Sequence, residues 1–176
     1  MRFVSFMTLF VWIGFGNAFA QDPFADVTNK PRPSEFLHWD AESFAEFKGE
    51  LEDQLRDGPG ILGTPFAVLN ALPRADHRRH DMQVIHRSGY TQPEIHETKW
   101  DIYVILDGSG TALLGGERVN WVEGLPREEQ RPELNGAQEF PITQGDILHV
   151  PARSWHQVKV PDGQSITYAL INAFED

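Results

Sequence analysis

The sequence predicts an all-β fold, a sandwich or barrel of short strands, with one helix covering it near the N-terminal side. From residue 61 onward, short runs of β-forming residues alternate with Gly- and Pro-containing turns, which is typical of sandwiches and barrels. Only one segment has the apolar spacing of an amphipathic helix. The chain has 176 residues, enough for one domain with a sizeable core and too few for a second domain of similar size.

The first twenty residues are typical of a secretory signal peptide. Arg2 is followed by an apolar run over residues 3–15 and then by Ala18-Phe19-Ala20, a small-x-small cleavage site. The run is shorter than the roughly 20 apolar residues that a membrane span needs, which argues against a stable membrane anchor. We therefore expect cleavage after Ala20 and a periplasmic or secreted mature protein.

Charge and cysteine content exclude several classes of function. The formal net charge is -11, and removing the one Arg of residues 1–20 leaves 14 basic against 26 acidic side chains, a charge of -12. Such a surface repels phosphate backbones and anionic lipids, so we expect no nucleic-acid partner. The chain contains no Cys, which excludes disulfides, thiol chemistry and thiolate metal ligands.

The expected mature chain begins with an extended segment over residues 21–40, rich in Pro, followed by a helix over residues 41–56. Asp40 is the predicted N-cap, and the helix is expected to end near Gly58. Apolar residues recur at steps of three and four, at Phe44, Phe47, Leu51 and Leu55. This stripe is expected to cover the outside of a sheet.

Ten strands are predicted after the helix, over Phe66–Asn70, Met82–Arg87, Glu94–Glu97, Ile102–Leu106, Thr111–Leu114, Arg118–Val122, Glu139–Ile142, Ile147–Val150, His156–Val160 and Ser165–Ala173. Gly108-Ser109-Gly110 is expected to separate two of them. Gly115-Gly116 is expected to form a two-residue hairpin turn. Residues 123–137 are charged and contain Pro and Gly, which predicts a surface loop between two halves of the barrel.

Two stretches, residues 93–110 and 145–156, carry the chemistry. Because side chains alternate along a strand, Glu94 and His96 share a face, and Asp101 shares one with Tyr103 on the next strand. If the turn at 97–100 is antiparallel, Asp101 can join the first pair, and His156 can complete the set. Imidazole and carboxylate groups are suitable ligands for Zn, Mn, Fe, Ni or Cu.

These two stretches resemble the two motifs of the cupin superfamily, and in particular those of small exported bacterial cupins. The first motif has a His pair and a carboxylate before an apolar strand that ends in Gly-x-Gly, and the second has Gly, then Pro, then His. The resemblance covers about residues 80–173. It implies a jelly-roll barrel of the double-stranded β-helix type, with the cupin domain over residues 41–176. Glu94 stands where the family has its first His, Asp101 where it has Glu, and Arg153 where it has Gly.

The motifs imply one divalent metal ion, of unspecified identity, as the cofactor. Glu94, His96 and His156 are the expected ligands, with Asp101 as a fourth ligand or a partner of a ligand. Tyr103 and Glu94 are candidate catalytic groups, although packing in the core is the alternative for Tyr103. His86 and His149 could also face inward, and they are interpreted as structural residues or as partners of a ligand.

Three functions are compatible with these residues. The first is a metal-dependent, oxygenase-like enzyme acting on a small polar metabolite. The second is a metal-dependent lyase or isomerase with Tyr103 or Glu94 as base. The third is a non-catalytic protein that holds a metal or a small ligand. The resemblance to cupins also implies a homodimer paired through β-sheet edges and N-terminal segments, with residues 21–37 as the N-terminal arm.

Overall fold

The computed structural model describes residues 36–76 and 78–175. The chain divides into a unit of residues 1–37 and a compact unit of residues 38–176, and the latter carries every element described below. The predicted signal peptide and the segment 21–35 lie outside the described residues, so export and the homodimer stay predictions. Within the described part of the chain, no helix combines the length and the apolar character needed to cross a bilayer.

The predicted helix is confirmed as α1, Ala41–Asp57. The Asp40 carboxylate accepts a hydrogen bond from the Ser43 backbone N–H at 2.9 Å, which satisfies a donor that the first helical turn leaves free. Leu51 is fully buried and packs with Ala67 and Val84 of the first two strands. The apolar stripe therefore covers the sheet, as its spacing predicts.

Nine strands are seen in the described residues: β1 Phe66–Leu72, β2 His80–Arg87, β3 Lys99–Leu114, β4 Glu117–Val119, β5 Glu133–Asn135, β6 Gln138–Thr143, β7 Ile147–Val150, β8 His156–Lys159 and β9 Ile166–Phe174. Every strand pairing is antiparallel. The main sheet runs β1-β2-β9-β3-β6, with β7 and β8 also paired to β3, whereas β4 and β5 form a sheet of their own. The expected all-β barrel with one covering helix is thereby confirmed.

The long strand β3 organises the barrel. Its first half pairs with β7 and β9, and its second half pairs with β6 and β8. The barrel core lies between these partners, and its largest fully buried side chains include Tyr103, Tyr168 and Ile105. The same strand that carries Asp101 and Tyr103 thus spans both halves of the fold.

Two predicted strand boundaries are wrong. Gly108-Ser109-Gly110 does not separate two strands, because β3 runs through it. Gly108 takes a φ of +78° next to a shift of register between Ile105 and Asp107, so the glycine lets the strand bend without ending. Glu94–Glu97 is not a strand either, since only Glu94 forms a bridge, to His156.

The region after β3 also differs from its prediction. Gly115 and Gly116 both have φ of +75°, but the turn does not close a hairpin, because β4 pairs with β5 and not with β3. The expected strand over 118–122 shortens to β4. Residues 123–137 contain a 3₁₀ turn and β5, and Gln130 is fully buried among them. This part of the chain therefore has secondary structure and a buried side chain, and the prediction of a surface loop was wrong.

Candidate metal centre

The backbone pairs two of the predicted ligands directly. The Glu94 N–H donates to the His156 carbonyl at 2.8 Å, and the His156 N–H donates to the Glu94 carbonyl at 2.9 Å. Residues that exchange both bonds in an antiparallel bridge present their side chains on the same face. This single bridge, rather than a strand over 94–97, brings Glu94 and His156 together.

His96 is held two residues further along by the turn that precedes His156. The Arg153 N–H donates to the His96 carbonyl at 2.7 Å. Arg153 takes a φ of +60°, a left-handed conformation that favours Gly, so the turn carries some backbone strain. The Arg153 guanidinium also donates to the Glu97 carbonyl and pairs with Glu175, both at 2.8 Å. Arg153 therefore ties the His96 segment to the barrel from both its backbone and its side chain.

The side chains meet at one point. The His96 Nε2 lies 3.6 Å from a Glu94 carboxylate oxygen and 3.3 Å from Asp101 Oδ2. The His156 Nε2 lies 3.2 Å from the same Asp101 oxygen. Glu94, His96 and His156 each offer one ligand atom within 4.8 Å of the others, and Asp101 contacts both imidazoles beside this triad. The structure thus brings together all four residues that the sequence singled out as ligands.

The chemistry of these atoms fits a metal ion. His96 Nε2, His156 Nε2 and both carboxylate oxygens of Asp101 are buried and have no hydrogen-bond partner among the described residues. Buried polar atoms left unpaired are costly, so their convergence needs a shared partner. Ligand atoms about 2.1 Å from an ion, in tetrahedral or octahedral arrangement, lie roughly 3.0–3.4 Å apart, close to the spacing of the Asp101 contacts.

A second hydrogen bond prepares His156 to act as a ligand. Its Nδ1 lies 3.0 Å from the Ser154 carbonyl oxygen, which can only accept. Nδ1 therefore donates this hydrogen bond, which leaves Nε2, beside Asp101 and His96, as the ring atom that could bind a metal. Ligating histidines commonly fix their tautomer in this way.

The pKa values of Glu94, Asp101 and His96 are shifted by their neighbours. Burial alone would raise the pKa of Glu94, but the neighbouring His96 and Arg87 outweigh it and lower the pKa to about 2. Burial would likewise raise the pKa of Asp101, but His156 and His96 hold it well below its usual range. Burial would lower the pKa of His96, yet Asp101 and Glu94 raise it to about 9. Both carboxylates are therefore ionised at neutral pH, as ligands must be.

Two cations accompany these carboxylates, and the sequence did not reveal either. Arg87 is 3% exposed and places a guanidinium nitrogen 3.3 Å from Glu94, while its Cζ lies 4.1 Å from the Phe66 ring centroid. The Lys99 Nζ lies 3.4 Å from Asp101 Oδ1. Arg87 gives no sequence signal, because its partner Glu94 is seven residues away and the fold alone brings the two together.

The remaining candidates lie apart from this cluster. Tyr103 is 2% exposed, its ring centroid is 4.9 Å from that of Tyr168, and burial raises its pKa well above the usual value. His86 is buried and its Nδ1 lies 2.8 Å from the Thr167 hydroxyl, while His149 is exposed and stacks near Trp100. These positions agree with structural roles for both histidines.

Lys99 provides a test of where the positive charge of an ion would lie. Its ammonium sits beside Asp101, so it repels a divalent cation held by that carboxylate. We expect Lys99→Met to tighten metal binding by up to about tenfold, as removal of one like charge a few ångströms away should at high effective dielectric. Lys159→Met, at the exposed end of β8, is the matched control and should leave affinity unchanged. Competition titration with a chromophoric chelator measures both, and weaker binding by the Lys99 variant would contradict the assignment of Asp101 to the site.

Two substitutions of Arg153 separate the effect of its guanidinium contacts from the effect of its left-handed backbone. Arg153→Gly removes the guanidinium contacts but relieves the left-handed backbone, whereas Arg153→Ala removes the contacts and keeps the strain. We expect the Ala variant to lose roughly 1 kcal/mol more stability than the Gly variant, measured by urea unfolding. Both should weaken metal binding alike, because both free the Glu97 carbonyl. Equal stabilities would show that the turn is not strained.

Comparison with known proteins finds similarity to solved structures only. No family model matches the chain, and no curated protein matches it in sequence. Similar solved structures include a predicted oxalate decarboxylase from Thermotoga maritima, with 14% identity over 62% of this chain and 81% of that one and a TM-score of 0.47. A cupin-2 domain from Rhodospirillum rubrum has 14% identity over 64% and 62% of the two chains and a TM-score of 0.45. A cupin protein from Bacteroides fragilis has 16% identity over 60% and 80%, with a TM-score of 0.39.

Cupin proteins are thus among the structures that this chain is similar to, as the resemblance of its two motifs indicated. The identities are low, and the likeness concerns the arrangement of strands. It carries no activity, substrate or metal over to this chain.

Proposed function

We propose that the protein binds one divalent metal ion through Glu94, His96 and His156, with Asp101 as a fourth ligand or a partner of both imidazoles, and acts on a small polar molecule as a metal-dependent enzyme. The observation that carries this proposal is the convergence of buried, unpartnered polar atoms from His96, His156 and Asp101. His96 and His156 each lie within 3.3 Å of Asp101 Oδ2, and a shared cation would offset the burial of these atoms.

The site opens to a space in which a substrate could bind. Glu94 and His96 line a cavity of about 340 Å³, and their side chains are 34% and 25% exposed. His156 and Asp101 lie deeper, at 6% and 1% exposure. The buried pair would fix an ion in place while the exposed pair faces the cavity. A metal bound there would supply a Lewis acid able to polarise a substrate oxygen.

The environment of the candidate bases favours metal-assisted chemistry over proton abstraction. Tyr103 is enclosed in the core and its raised pKa keeps it neutral, so it is a poor proton acceptor at neutral pH. The lowered pKa of Glu94 makes it a weak base but a good anionic ligand. The lyase or isomerase alternative through these two residues therefore has less support than the ligand role.

Metal reconstitution tests the proposal. The mature chain, stripped with a chelator, would be loaded in turn with Fe(II), Mn, Zn, Ni and Cu and analysed for elemental content after desalting. We expect one ion per chain with at least one of these metals, and turnover of small polar substrates only in the loaded form. Absence of stoichiometric binding with every metal would refute it. Stoichiometric metal without turnover would support the ligand set and favour a non-catalytic binding protein.

Metal affinity should depend on pH over a range set by His96. Because its pKa is raised to about 9, the imidazole carries a proton at pH 7 that a metal must displace. Affinity should therefore rise by about one decade per pH unit between pH 7 and 9 and then level off, for a single displaced proton. Calorimetric titration at several pH values would measure this. A profile that levels off near 6.5, the unperturbed His value, would show that the carboxylates do not act on His96.

A further inference from the structure

We infer that the cavity beside the proposed metal centre takes a small molecule bearing a carboxylate, and that Arg118 is the residue that recognises this group. This inference deepens the proposed function and rests on it for the role of the bound molecule as substrate. It rests on separate residues for the recognition itself.

Arg118 is presented as an anion-binding group. Its Cζ lies 4.3 Å from the Trp121 ring centroid and 5.0 Å from that of Trp155. Contact with ring faces holds the plane of a guanidinium while leaving its N–H edges available. No hydrogen bond or ion pair engages the Arg118 side chain within residues 36–76 and 78–175, although the chain as a whole is strongly acidic.

The same cavity holds both Arg118 and the proposed ligands. Its lining includes Glu94, His96, Arg118, Arg127 and Trp155. A second cavity, of about 430 Å³, shares Arg118 and Arg127 with the first and adds Trp121. Glu94 is the sole acid lining either one in the described residues, and it is committed to Arg87 and His96. Among the described residues, a ligand there meets two arginines and one carboxylate that is already paired.

The segment that carries Arg118 is rigidly built. Arg118 lies on β4, which pairs with β5. The fully buried Gln130 bridges the intervening turn, accepting from the Val122 N–H at 2.9 Å and donating to the Val122 and Leu125 carbonyls at 2.6 and 2.9 Å. The position of Arg118 is therefore fixed before any ligand binds, which lowers the entropic cost of recognition.

Two further bonds fasten this segment to the metal-centre side of the cavity. Gln92, two residues before Glu94, donates to the Arg127 carbonyl at 2.6 Å, and the Tyr90 hydroxyl donates to the Pro132 carbonyl at 2.7 Å. The two walls of the cavity thus keep a set separation. The lining also includes Ile61, Leu62, Phe66 and Trp155.

These features select a carboxylate on a partly apolar body. A guanidinium with free edges matches the planar two-oxygen geometry of a carboxylate. The apolar lining suits a short aliphatic or aromatic body, and the far end of such a molecule could place an oxygen at the metal. Inorganic phosphate shares the anionic charge but not the plane or the apolar body, so it serves as the comparison.

Binding assays with matched probes test this inference. Calorimetry on the mature chain, with and without bound Zn, would compare benzoate with benzamide, succinate with succinamide, and inorganic phosphate. We expect at least one carboxylate to bind about 10- to 100-fold more tightly than its amide, as a charged hydrogen-bonded pair should. Arg118→Gln should abolish this preference. Arg56→Gln, the same charge change on the exposed side of α1, should retain it.

Each outcome bears on one proposal or the other. Equal binding of acids and amides, or equal behaviour of the two Arg variants, overturns the inference. Phosphate binding without carboxylate binding overturns the carboxylate class. Elemental analysis of the same samples measures metal binding separately. If the chain binds no metal but keeps a carboxylate preference that depends on Arg118, the proposed function is refuted and the carboxylate site is supported. Arg118→Gln should retain its metal, which shows that the variant is folded.

Discussion

His96→Ala and His156→Ala should each abolish stoichiometric metal binding, measured as ions per chain after desalting. Each removes a buried Nε2 that lies within 3.3 Å of Asp101 Oδ2 and that the proposal places as a metal ligand. The loss should exceed the roughly 10- to 100-fold that removal of an outer partner typically costs. Metal should also raise the melting temperature of the wild type by mass action and leave the double variant unmoved.

The controls for this prediction come from the same chain. His149→Ala removes an imidazole that lies exposed against Trp100 and should leave metal content at the wild-type value. Glu94→Gln should weaken binding, and Asp101→Asn should weaken it less if Asp101 is a partner rather than a ligand. Retention of one ion per chain in both His→Ala variants would place the metal elsewhere and end the assignment.

The proximity of the four candidate ligands was predictable, although the secondary structure predicted around Glu94 and His96 was wrong. The sequence argument placed Glu94 and His96 on one strand face, and the structure has no strand there. What brings Glu94 and His156 together is a single backbone bridge between segments about sixty residues apart in the chain. Residue types at motif spacing indicated which side chains meet, but only the fold determines how they meet.

The groups that the sequence could not reveal are those whose role depends on the fold alone. Arg87 lies on β2 among apolar neighbours, and Arg118 lies on a strand expected to run to Val122. Neither stands in a recognisable motif. Arg153 differs in that it stands where the resembled motif has Gly. In the structure it takes a left-handed φ of +60° while its side chain donates to the Glu97 carbonyl.

The predicted strand break at Gly108-Ser109-Gly110 was wrong for a related reason. Glycine is as common at a bend within a strand as at its end, so Gly108-Ser109-Gly110 could not be assigned from composition. The pairing partners of β3 determine whether the strand continues. Gly108 pairs with Ile166 of β9, and the next residue, Ser109, pairs with Thr143 of β6. The strand continues because a new partner begins where the old one stops.

A substitution at Gly108 is expected to lower the free energy of unfolding strongly. A Cβ added at Gly108 would lie 2.0 Å from the Ser165 carbonyl oxygen, and the backbone there has a φ of +78°. Gly108→Ala should therefore combine the roughly 1–2 kcal/mol of a left-handed Ala with the roughly 1–3 kcal/mol of overpacking, lowering the free energy of unfolding by about 2–5 kcal/mol. Urea unfolding followed by far-UV circular dichroism would measure it.

Gly163→Ala separates the two causes. Gly163 has nearly the same φ, +76°, but a Cβ there meets nothing within 4 Å, so this variant carries the backbone strain without the clash. We expect it to lose only the roughly 1–2 kcal/mol of the strained conformation. The difference between the two variants then measures the close approach of β3 and the start of β9 where the strand changes partners. Equal losses would mean that the backbone at Gly108 can move away from Ser165, and that the bend in β3 is not fixed by contact.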